Sequence, residues 1–180
     1  VAGHFEVSTT ASIGAYEIAT LDELKEYSRT QPNGKYSTIC LPYPINVESP
    51  FVDGVGTVYE VSGVYKSGST VTGIALDEFT GPVLEAGTPY IFEATTDELY
   101  ILYGEKTTAA TRGYATGLVG NLESTKLFVP DDGDCYGISN NQIRRVQPGA
   151  IASVGQYKAY IDVTDLPAAG AASAPGRRVM

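Results

Sequence analysis

Residues 57–79 read TVYEVSGVYKSGSTVTGIALDEF, with apolar and polar side chains alternating on either side of a glycine-containing turn. In the first half, Val58 and Glu60 share one face and Tyr59 and Val61 share the other, which is the two-residue period of a strand. Residues 66–69 are turn formers, and the alternation resumes over 71–79. The stretch therefore predicts a β-hairpin.

Similar short alternating runs recur along the rest of the chain. Turn residues separate them at intervals of about 8–12 residues, and no helical segments alternate with them. This pattern is typical of an all-β protein with about ten short strands, either an antiparallel β-sandwich or jelly-roll-like fold or a barrel. Besides the hairpin, strands are predicted at 36–41, 89–94, 99–103, 118–122, 126–129, 136–139, 142–146 and 157–163.

Several local details follow from the same residues. The runs at 89–94 and 99–103 are expected to pair with each other, and LYILY at 99–103 indicates a central strand covered on both faces. Asn140 and Asn141 suit the positive φ angles of a two-residue hairpin turn. The small, polar stretch 106–117 predicts a long mobile loop. The glycines of this region, namely Gly113, Gly117 and Gly120, are expected to make turns.

One helix is expected near residues 20–30. Thr20 and Glu23 match a capping box, in which a threonine at the N-cap is followed three residues later by a glutamate. Leu24 and Tyr27 continue at helical spacing, and Asn33-Gly34 would end the element. This helix is expected to pack against one edge of a sheet.

The length of 180 residues favours a single β-sandwich-like domain over 1–180. Residues 166–180 are expected to form a tail or a truncated final strand, because 167–176 is rich in Ala, Gly and Pro. The 12 basic and 21 acidic residues give a formal charge of −9, which disfavours nucleic-acid binding. No run of about 18 apolar residues is present, so no transmembrane segment is predicted.

The sequence contains few residues that could act in catalysis. His4 is the only histidine, and no G-x-S-x-G sequence is present, so a nucleophile activated by histidine is not expected. The alternative is a glycosidase-like pair of carboxylates, which needs two acidic side chains about 5–10 Å apart across a cleft. The candidates for that pair are Glu60, Asp77, Glu78, Glu93, Asp97 and Glu98.

The densest group of carboxylates lies at residues 131–134, DDGD. Asp131, Asp132 and Asp134 are candidate ligands for calcium, which prefers several oxygen ligands. The complete calcium-binding loop pattern is missing, so the other interpretation is a solvated turn between two strands. No other cofactor is expected.

The two cysteines, Cys40 and Cys135, lie far apart in the sequence. A disulfide between them would close a long loop and add about 4–5 kcal/mol in the chain-entropy model. The other interpretation is that Cys40 is a small buried apolar residue and Cys135 a free thiol. The missing C-x-x-C spacing argues against zinc.

Four tyrosines, Tyr43, Tyr65, Tyr114 and Tyr136, fall at predicted strand ends or in loops. There a ring can stack on a sugar or contact a partner protein. The other interpretation is edge packing in a small sandwich. The absence of Trp weakens the sugar-binding interpretation.

Several segments together resemble an uncharacterised all-β module of Bacteroidetes surface and secreted proteins, which occurs with leucine-rich-repeat, immunoglobulin-like and adhesin-type regions. The resemblance runs from about Tyr36 to Asp162. Its segments are TICLPY at 38–43, VYEV at 58–61, EAGTPYI at 85–91, GLVG at 117–120, YGISNN at 136–141 and AYID at 159–162. It implies an extracellular or cell-surface location in the envelope of a Gram-negative bacterium and no enzymatic role, and it carries no functional residues to transfer.

The expected function is therefore a non-catalytic module of a bacterial cell-surface or secreted protein, serving adhesion, display or attachment. Its partner would be a protein or a glycan at the cell surface, contacted through loops or an exposed edge strand. A carbohydrate-binding module is the alternative, and a glycosidase-like enzyme is the third hypothesis. The sequence leaves the oligomeric state open.

Overall fold

The structure is a computed structural model that describes residues 24–30, 34–46, 57–94, 99–105, 110–169 and 178–180. It is an all-β protein of antiparallel sheets, and the described residues include no helix. In the part of the chain that the structure describes, no helix is long and apolar enough to cross a membrane. The strands are β1 (Leu24–Thr30), β2 (Tyr36–Cys40), β3 (Ile45–Asn46), β4 (Thr57–Ser67), β5 (Thr70–Glu78), β6 (Val83–Leu84), β7 (Pro89–Glu93), β8 (Leu99–Glu105), β9 (Arg112–Ala115), β10 (Leu118–Asn121), β11 (Leu127–Phe128), β12 (Cys135–Ser139), β13 (Gln142–Arg145), β14 (Ser153–Val154), β15 (Ala159–Asp162) and β16 (Arg178–Val179).

Two five-stranded sheets make up most of the described fold. The first sheet has the order β16-β5-β4-β7-β2, and the second has the order β13-β12-β15-β10-β9. Three further pairs, β1-β8, β3-β6 and β11-β14, form two-stranded sheets. The predicted hairpins β4-β5 and β12-β13 are both confirmed, and Asn140 and Asn141 have the positive φ angles expected of their turn, 51° and 61°.

The two large sheets pack against each other through a shared apolar layer. From the first sheet this layer takes residues such as Tyr59, Leu76 and Ile91, and from the second it takes residues such as Leu118 and Ile161. A second buried cluster, including Ile39, Val58 and Phe92, covers the opposite face of the first sheet. A third, around Val129, Cys135 and Tyr160, covers the opposite face of the second sheet. Each large sheet is therefore covered by apolar side chains on both faces.

Two glycines allow the sheets to approach closely beside Cys40. Gly113 on β9 pairs directly with Gly120 on β10, and Cys40 on β2 points at both from the first sheet. A Cβ atom built on Gly120 would lie 2.4 Å from Cys40 Sγ, and one on Gly113 would lie 2.2 Å from the carbonyl oxygen of Gly87. The contact leaves no room for any side chain at either position.

The outer edge of β2 is joined to the second sheet by hydrogen bonds. Thr38 Oγ1 accepts from the Ala159 N–H at 2.9 Å and donates to the Ala159 carbonyl at 3.1 Å. The Cys40 N–H donates to the Tyr157 carbonyl at 3.0 Å. The last bond satisfies a backbone N–H that the edge strand would otherwise leave open, and the Thr38 hydroxyl satisfies the backbone groups of Ala159 on β15.

Asn141 extends this junction from the tip of the β12-β13 hairpin. Its Oδ1 accepts from the Tyr36 N–H at 3.0 Å, and its Nδ2 donates to the Gly34 carbonyl at 2.7 Å. One side-chain amide thus replaces the donor and acceptor of a neighbouring strand residue. The sequence indicated only the turn at this position.

The predicted helix at 20–30 is wrong over the described part of that stretch. Residues Leu24–Thr30 form β1 and pair antiparallel with β8 from Leu24 opposite Glu105 to Thr30 opposite Leu99; the Thr20–Glu23 capping box lies outside the described residues. An isolated helix of this length is marginal, so a seven-residue ladder with a distant strand overrides the local capping signal.

Other local expectations also change. β7 pairs with β4 and β2 instead of with β8, and within the described residues β8 pairs with β1 alone, so it is not a central strand. In the predicted loop at 106–117, Arg112–Ala115 is strand β9, and residues 106–109 lie outside the described part. The expectation of a tail or a truncated final strand over 166–180 stays a prediction; in the described part of that stretch, Ala168 bridges to Val64 in parallel and β16 pairs with β5.

Candidate interaction surface

The outer face of the second sheet, the one turned away from the first sheet, holds the described features that best fit binding. Cross-strand pairing places Tyr114 opposite Val119 and Val119 opposite Tyr160, so these three side chains form one row across β9, β10 and β15. Tyr160 is buried in the third cluster and Val119 packs against it, while Tyr114 is 70% exposed at the β9 edge. The row therefore begins in the core at Tyr160 and ends at the solvent-exposed ring of Tyr114.

The β11-β14 pair covers part of this outer face. Leu127 pairs with Val154, and the Val129 N–H donates to the Ala152 carbonyl at 2.9 Å, so these residues share the inward side of the pair. All four belong to or pack against the third cluster. The intervening residues consequently face outward.

The outward side of this pair forms an apolar ridge, which comprises Phe128, Pro130 and Ile151. Continued one position beyond the Val129–Ala152 bond, the register of this pair places Pro130 opposite Ile151, and strand alternation places Phe128 on the same side. Phe128 is 63% exposed and Ile151 is 90% exposed, and Pro130 is also exposed. Tyr114, Phe128 and Ile151 are the large hydrophobic side chains that are exposed in the described part of the chain.

A polar network fixes the junction between the ridge and the sheet. Asn121, fully buried on β10, donates from Nδ2 to the carbonyls of Thr125 (2.7 Å) and Val154 (3.3 Å). Its Oδ1 accepts from the Glu123 N–H at 3.0 Å. Arg112 lies 2.9 Å from Glu123 Oε2 and 3.5 Å from Asn121 Oδ1. Asn121 thereby ties β14 and the chain after β10 to the second sheet.

Basic side chains lie at the opposite edge of the sheet, on β13. Arg144 and Arg145 are both exposed, and Arg144 donates to Gln142 Oε1 at 3.0 Å. Arg145 Nε lies 3.4 Å from Asp134 Oδ1, which also accepts from the Tyr136 hydroxyl at 3.0 Å. Burial, followed by this bond to the Asp134 carboxylate, raises the pKa of Tyr136 to about 12.

The four tyrosines predicted from the sequence occupy different environments. Tyr43 and Tyr136 are buried, Tyr65 is half-buried, and Tyr114 alone of the four is exposed. Tyr43 packs in the cluster on the far face of the first sheet, whereas Tyr136 lies between the two sheets. The structure thus does not bring the four rings together as one exposed platform, and their roles in binding stay predictions, of which Tyr114 has the exposed ring.

The acidic turn does not assemble as a metal site. Asp131 Oδ2 accepts from the Gly149 N–H at 2.8 Å, while Asp134 is engaged with Tyr136 and Arg145. Throughout the described part of the chain, no group of three His, Cys, Asp or Glu side chains could hold a metal ion. Asp131, Asp132 and Asp134 are accordingly turn residues, and the carboxylates of Asp131 and Asp134 bind protein groups.

The carboxylates considered for glycoside hydrolysis are spread along the first sheet. Glu60 lies directly opposite Asp77 in the β4-β5 ladder, and Glu93 Oε2 accepts from the Tyr59 hydroxyl at 3.1 Å. Glu78 pairs opposite Tyr59, and Asp97 and Glu98 lie outside the described residues. Glu60 and Asp77 are neighbours on one pair of strands, which does not supply the facing arrangement that this chemistry requires.

A small recess of about 10 Å³ lies on the far face of the first sheet, among residues that include Tyr43, Glu85 and Tyr90. The Tyr90 hydroxyl accepts from the Glu85 N–H at 3.1 Å beside it. That volume holds about one water molecule at most, so this recess is too small for a sugar or a cofactor.

Both cysteines are free and buried, as one of the two sequence interpretations expected. Burial raises the pKa of Cys40 to about 12 from an ordinary 9.0. Burial, with the charges of Asp162, Asp134 and Asp132, raises the pKa of Cys135 to about 11. Both thiols stay protonated at neutral pH, which is the unreactive form.

We expect stability to fall as the pH rises from about 9 to 12. The unfolded thiols ionise near 9, whereas the folded thiols keep their protons until about 11 and 12, so the folded state binds more protons in this range. Urea unfolding at pH 8 to 11 measures the effect. The double variant Cys40→Ala/Cys135→Ala should lose stability less steeply with pH, and parallel slopes for variant and parent would contradict the assignment.

Sequence reasoning missed the ridge and Asn121. The signal for Phe128 was present, since alternation in the predicted strand 126–129 turns it outward when Leu127 and Val129 turn inward. Asn121 gave no such signal, because its partners depend on how distant strands meet.

Comparison with family models, with curated proteins and with solved structures finds no match to this chain.

Proposed function

We propose that this chain is a non-catalytic β-sandwich module of a bacterial cell-surface or secreted protein, with the apolar ridge as its contact surface for a partner. The ridge carries the proposal. Phe128 lies in the β11-β14 ladder, and the same register continued beyond the ladder places Pro130 and Ile151 beside it, so we take the three as a patch rather than isolated exposed side chains. Such patches on otherwise polar, acidic proteins are typical of interaction sites.

The rest of the chain supports a binding role over a chemical one. The free thiols are buried and protonated at neutral pH, and the described candidates for a catalytic carboxylate pair are either hydrogen-bonded, as Glu93 is, or spread over both faces of the first sheet. The paired apolar layers give a rigid scaffold on which loops and edges can vary. The sequence resemblance to the Bacteroidetes surface module supports the location, and the acidic surface favours solubility outside the cell.

Location and binding are tested separately. Protease treatment of intact producing cells should remove the epitope of the chain, or the chain should appear in the medium. Purified protein is then applied to immobilised extracellular proteins and glycans and to whole host cells. A chain found only inside intact cells would overturn the proposed location.

The ridge is tested with the double variant Phe128→Ser/Ile151→Ser. Both side chains are exposed, so the fold should be kept, and retention on the bound surface should fall about tenfold or more. The matched control is Lys66→Ser/Glu78→Ser on the first sheet, where both residues are also exposed. Equal retention of both variants would contradict a role for the ridge. Retention on glycans alone would favour the carbohydrate-binding alternative.

A further inference from the structure

Strand β13 has an open backbone edge. In the β12-β13 hairpin the Val146 N–H donates to the Cys135 carbonyl, and antiparallel bonding then alternates through Arg144 and Gln142. The backbone N–H and C=O groups of Ile143 and Arg145 therefore point away from β12. No backbone partner for them is found among the described residues.

The open edge contrasts with the edge of the first sheet. There the outward N–H groups of Tyr36 and Cys40 on β2 donate to Asn141 Oδ1 and to the Tyr157 carbonyl. Unpaired edges invite pairing with another chain, and proteins commonly guard them with charged residues or covering segments. β13 has no covering segment in the described part of the fold.

The charge on β13 identifies the kind of chain that would fit. Arg144 and Arg145 are adjacent and exposed in a protein of net charge −9. Arg145 lies near Asp134, whereas the only partner recorded for the Arg144 side chain is the neutral Gln142, and the described residues give it no carboxylate. A second copy paired edge to edge would place these arginines close to their counterparts, which disfavours that occupant.

We propose that β13 binds an extended acidic segment of a partner protein by strand addition, which rests on the proposed function as an interaction module. The outward groups of Ile143 and Arg145 would pair with the backbone of the added strand. Carboxylates of that strand would meet Arg144 on the outer face. The turn at 147–150 leads from this edge to Ile151, so the partner chain could continue onto the ridge.

The probe is a capped seven-residue peptide, acetyl-TEVEVET-amide, added to the folded protein and followed by NMR. We expect slower hydrogen exchange at the amides of Ile143 and Arg145, with no change at Gln142 and Arg144, whose amides already bond to β12. The capped peptide TKVKVKT, with opposite charge, should bind at least about tenfold more weakly.

The charge requirement is tested with Arg144→Glu, which should weaken binding of the acidic peptide about tenfold because attraction becomes repulsion. The control Lys66→Glu makes the same charge change on the first sheet and should leave binding unchanged. Equal binding of the two peptides, or protection at amides away from β13, would overturn the proposal. So would no binding at millimolar peptide, in which case the arginines serve only to guard the edge.

The experiments distinguish a failure of the β13 edge proposal from a failure of the proposed function. If Arg144→Glu abolishes peptide binding but not retention on the partner surface, the edge is not the partner site and the ridge proposal stands. If the parent chain is retained nowhere but still binds the acidic peptide, the edge proposal stands and the proposed function falls.

Discussion

Gly120→Ala should lower the free energy of unfolding by about 2–3 kcal/mol. The separate variant Gly113→Ala should lower it by more than Gly120→Ala does. A Cβ at position 120 would meet Cys40 Sγ at 2.4 Å and Cys40 Cβ at 2.7 Å, so the β2 side chain must move. At position 113 the nearest atom is the Gly87 carbonyl oxygen, which belongs to the backbone and yields less readily. Denaturation in urea at neutral pH measures both variants.

A matched glycine serves as the control. Gly137 lies in β12 of the same sheet, and a Cβ built on it meets no atom within 4 Å. Gly137→Ala should therefore change the free energy of unfolding by no more than about 0.5 kcal/mol. If all three alanine variants proved equally stable, the two sheets would not approach at Gly113 and Gly120 as described.

Cys40→Gly provides a second test of the same contact. It removes both cysteine atoms that crowd position 120, so the double variant Cys40→Gly/Gly120→Ala should be more stable than the sum of the two single changes predicts. When Cys40→Gly is combined with Gly113→Ala, it should restore less of the lost stability, because the Gly87 carbonyl still crowds position 113. The two double-variant cycles are compared by their coupling free energies. A larger coupling with Gly120→Ala than with Gly113→Ala indicates a specific contact with Cys40, whereas equal couplings indicate a general intolerance of larger side chains in these strands.

These glycines also show where prediction from the sequence reached its limit. The sequence assigned Gly113, Gly117 and Gly120 to turns, but only Gly117 has a positive φ angle, 68°, at the β9-β10 turn. The other two lie within strands, and their small size is required by Cys40 on β2 and, at Gly113, also by the Gly87 carbonyl, which are both distant in the sequence. Close approach between distant segments leaves no local pattern to detect.

Two hairpins were predicted correctly because their contacts are local in the sequence. The pairs β4-β5 and β12-β13 join neighbouring segments through short turns, so alternation and turn residues together specify them. The partners of β7 and β8 lie far away in the sequence, and the local pattern suggested instead that the two strands pair with each other. The exposed ridge follows from alternation once the pairing of β11 with β14 is known, which the sequence did not provide.

Asn121→Ala should lower the free energy of unfolding by about 2–3 kcal/mol, since it removes a fully buried amide and breaks the hydrogen bonds that this amide makes. The change removes the donor to the carbonyls of Thr125 and Val154 and the acceptor for the Glu123 N–H. Gln142→Ala removes an exposed amide from β13 and should change stability by about 0.5 kcal/mol or less. Thermal and urea unfolding compare the two.

Asn121→Asp separates the loss of donors from the loss of volume. The new carboxylate keeps the shape but cannot donate to Thr125 and Val154, and we expect burial to raise its pKa above the unfolded value against the opposing attraction of Arg112, whose guanidinium lies 3.5 Å from Asn121 Oδ1. The folded state then holds a proton that the unfolded state releases, so stability of this variant relative to the parent should be greatest at low pH and decline as the pH rises. Because the protonated form regains one donor, Asn121→Asp should exceed Asn121→Ala in stability near pH 4 and lose that advantage at pH 7. A pH-independent difference between the two variants would show that the Asn121 amide acts by packing alone. The ridge, which is joined to the sheet through this amide, would then depend on the third apolar cluster for its position.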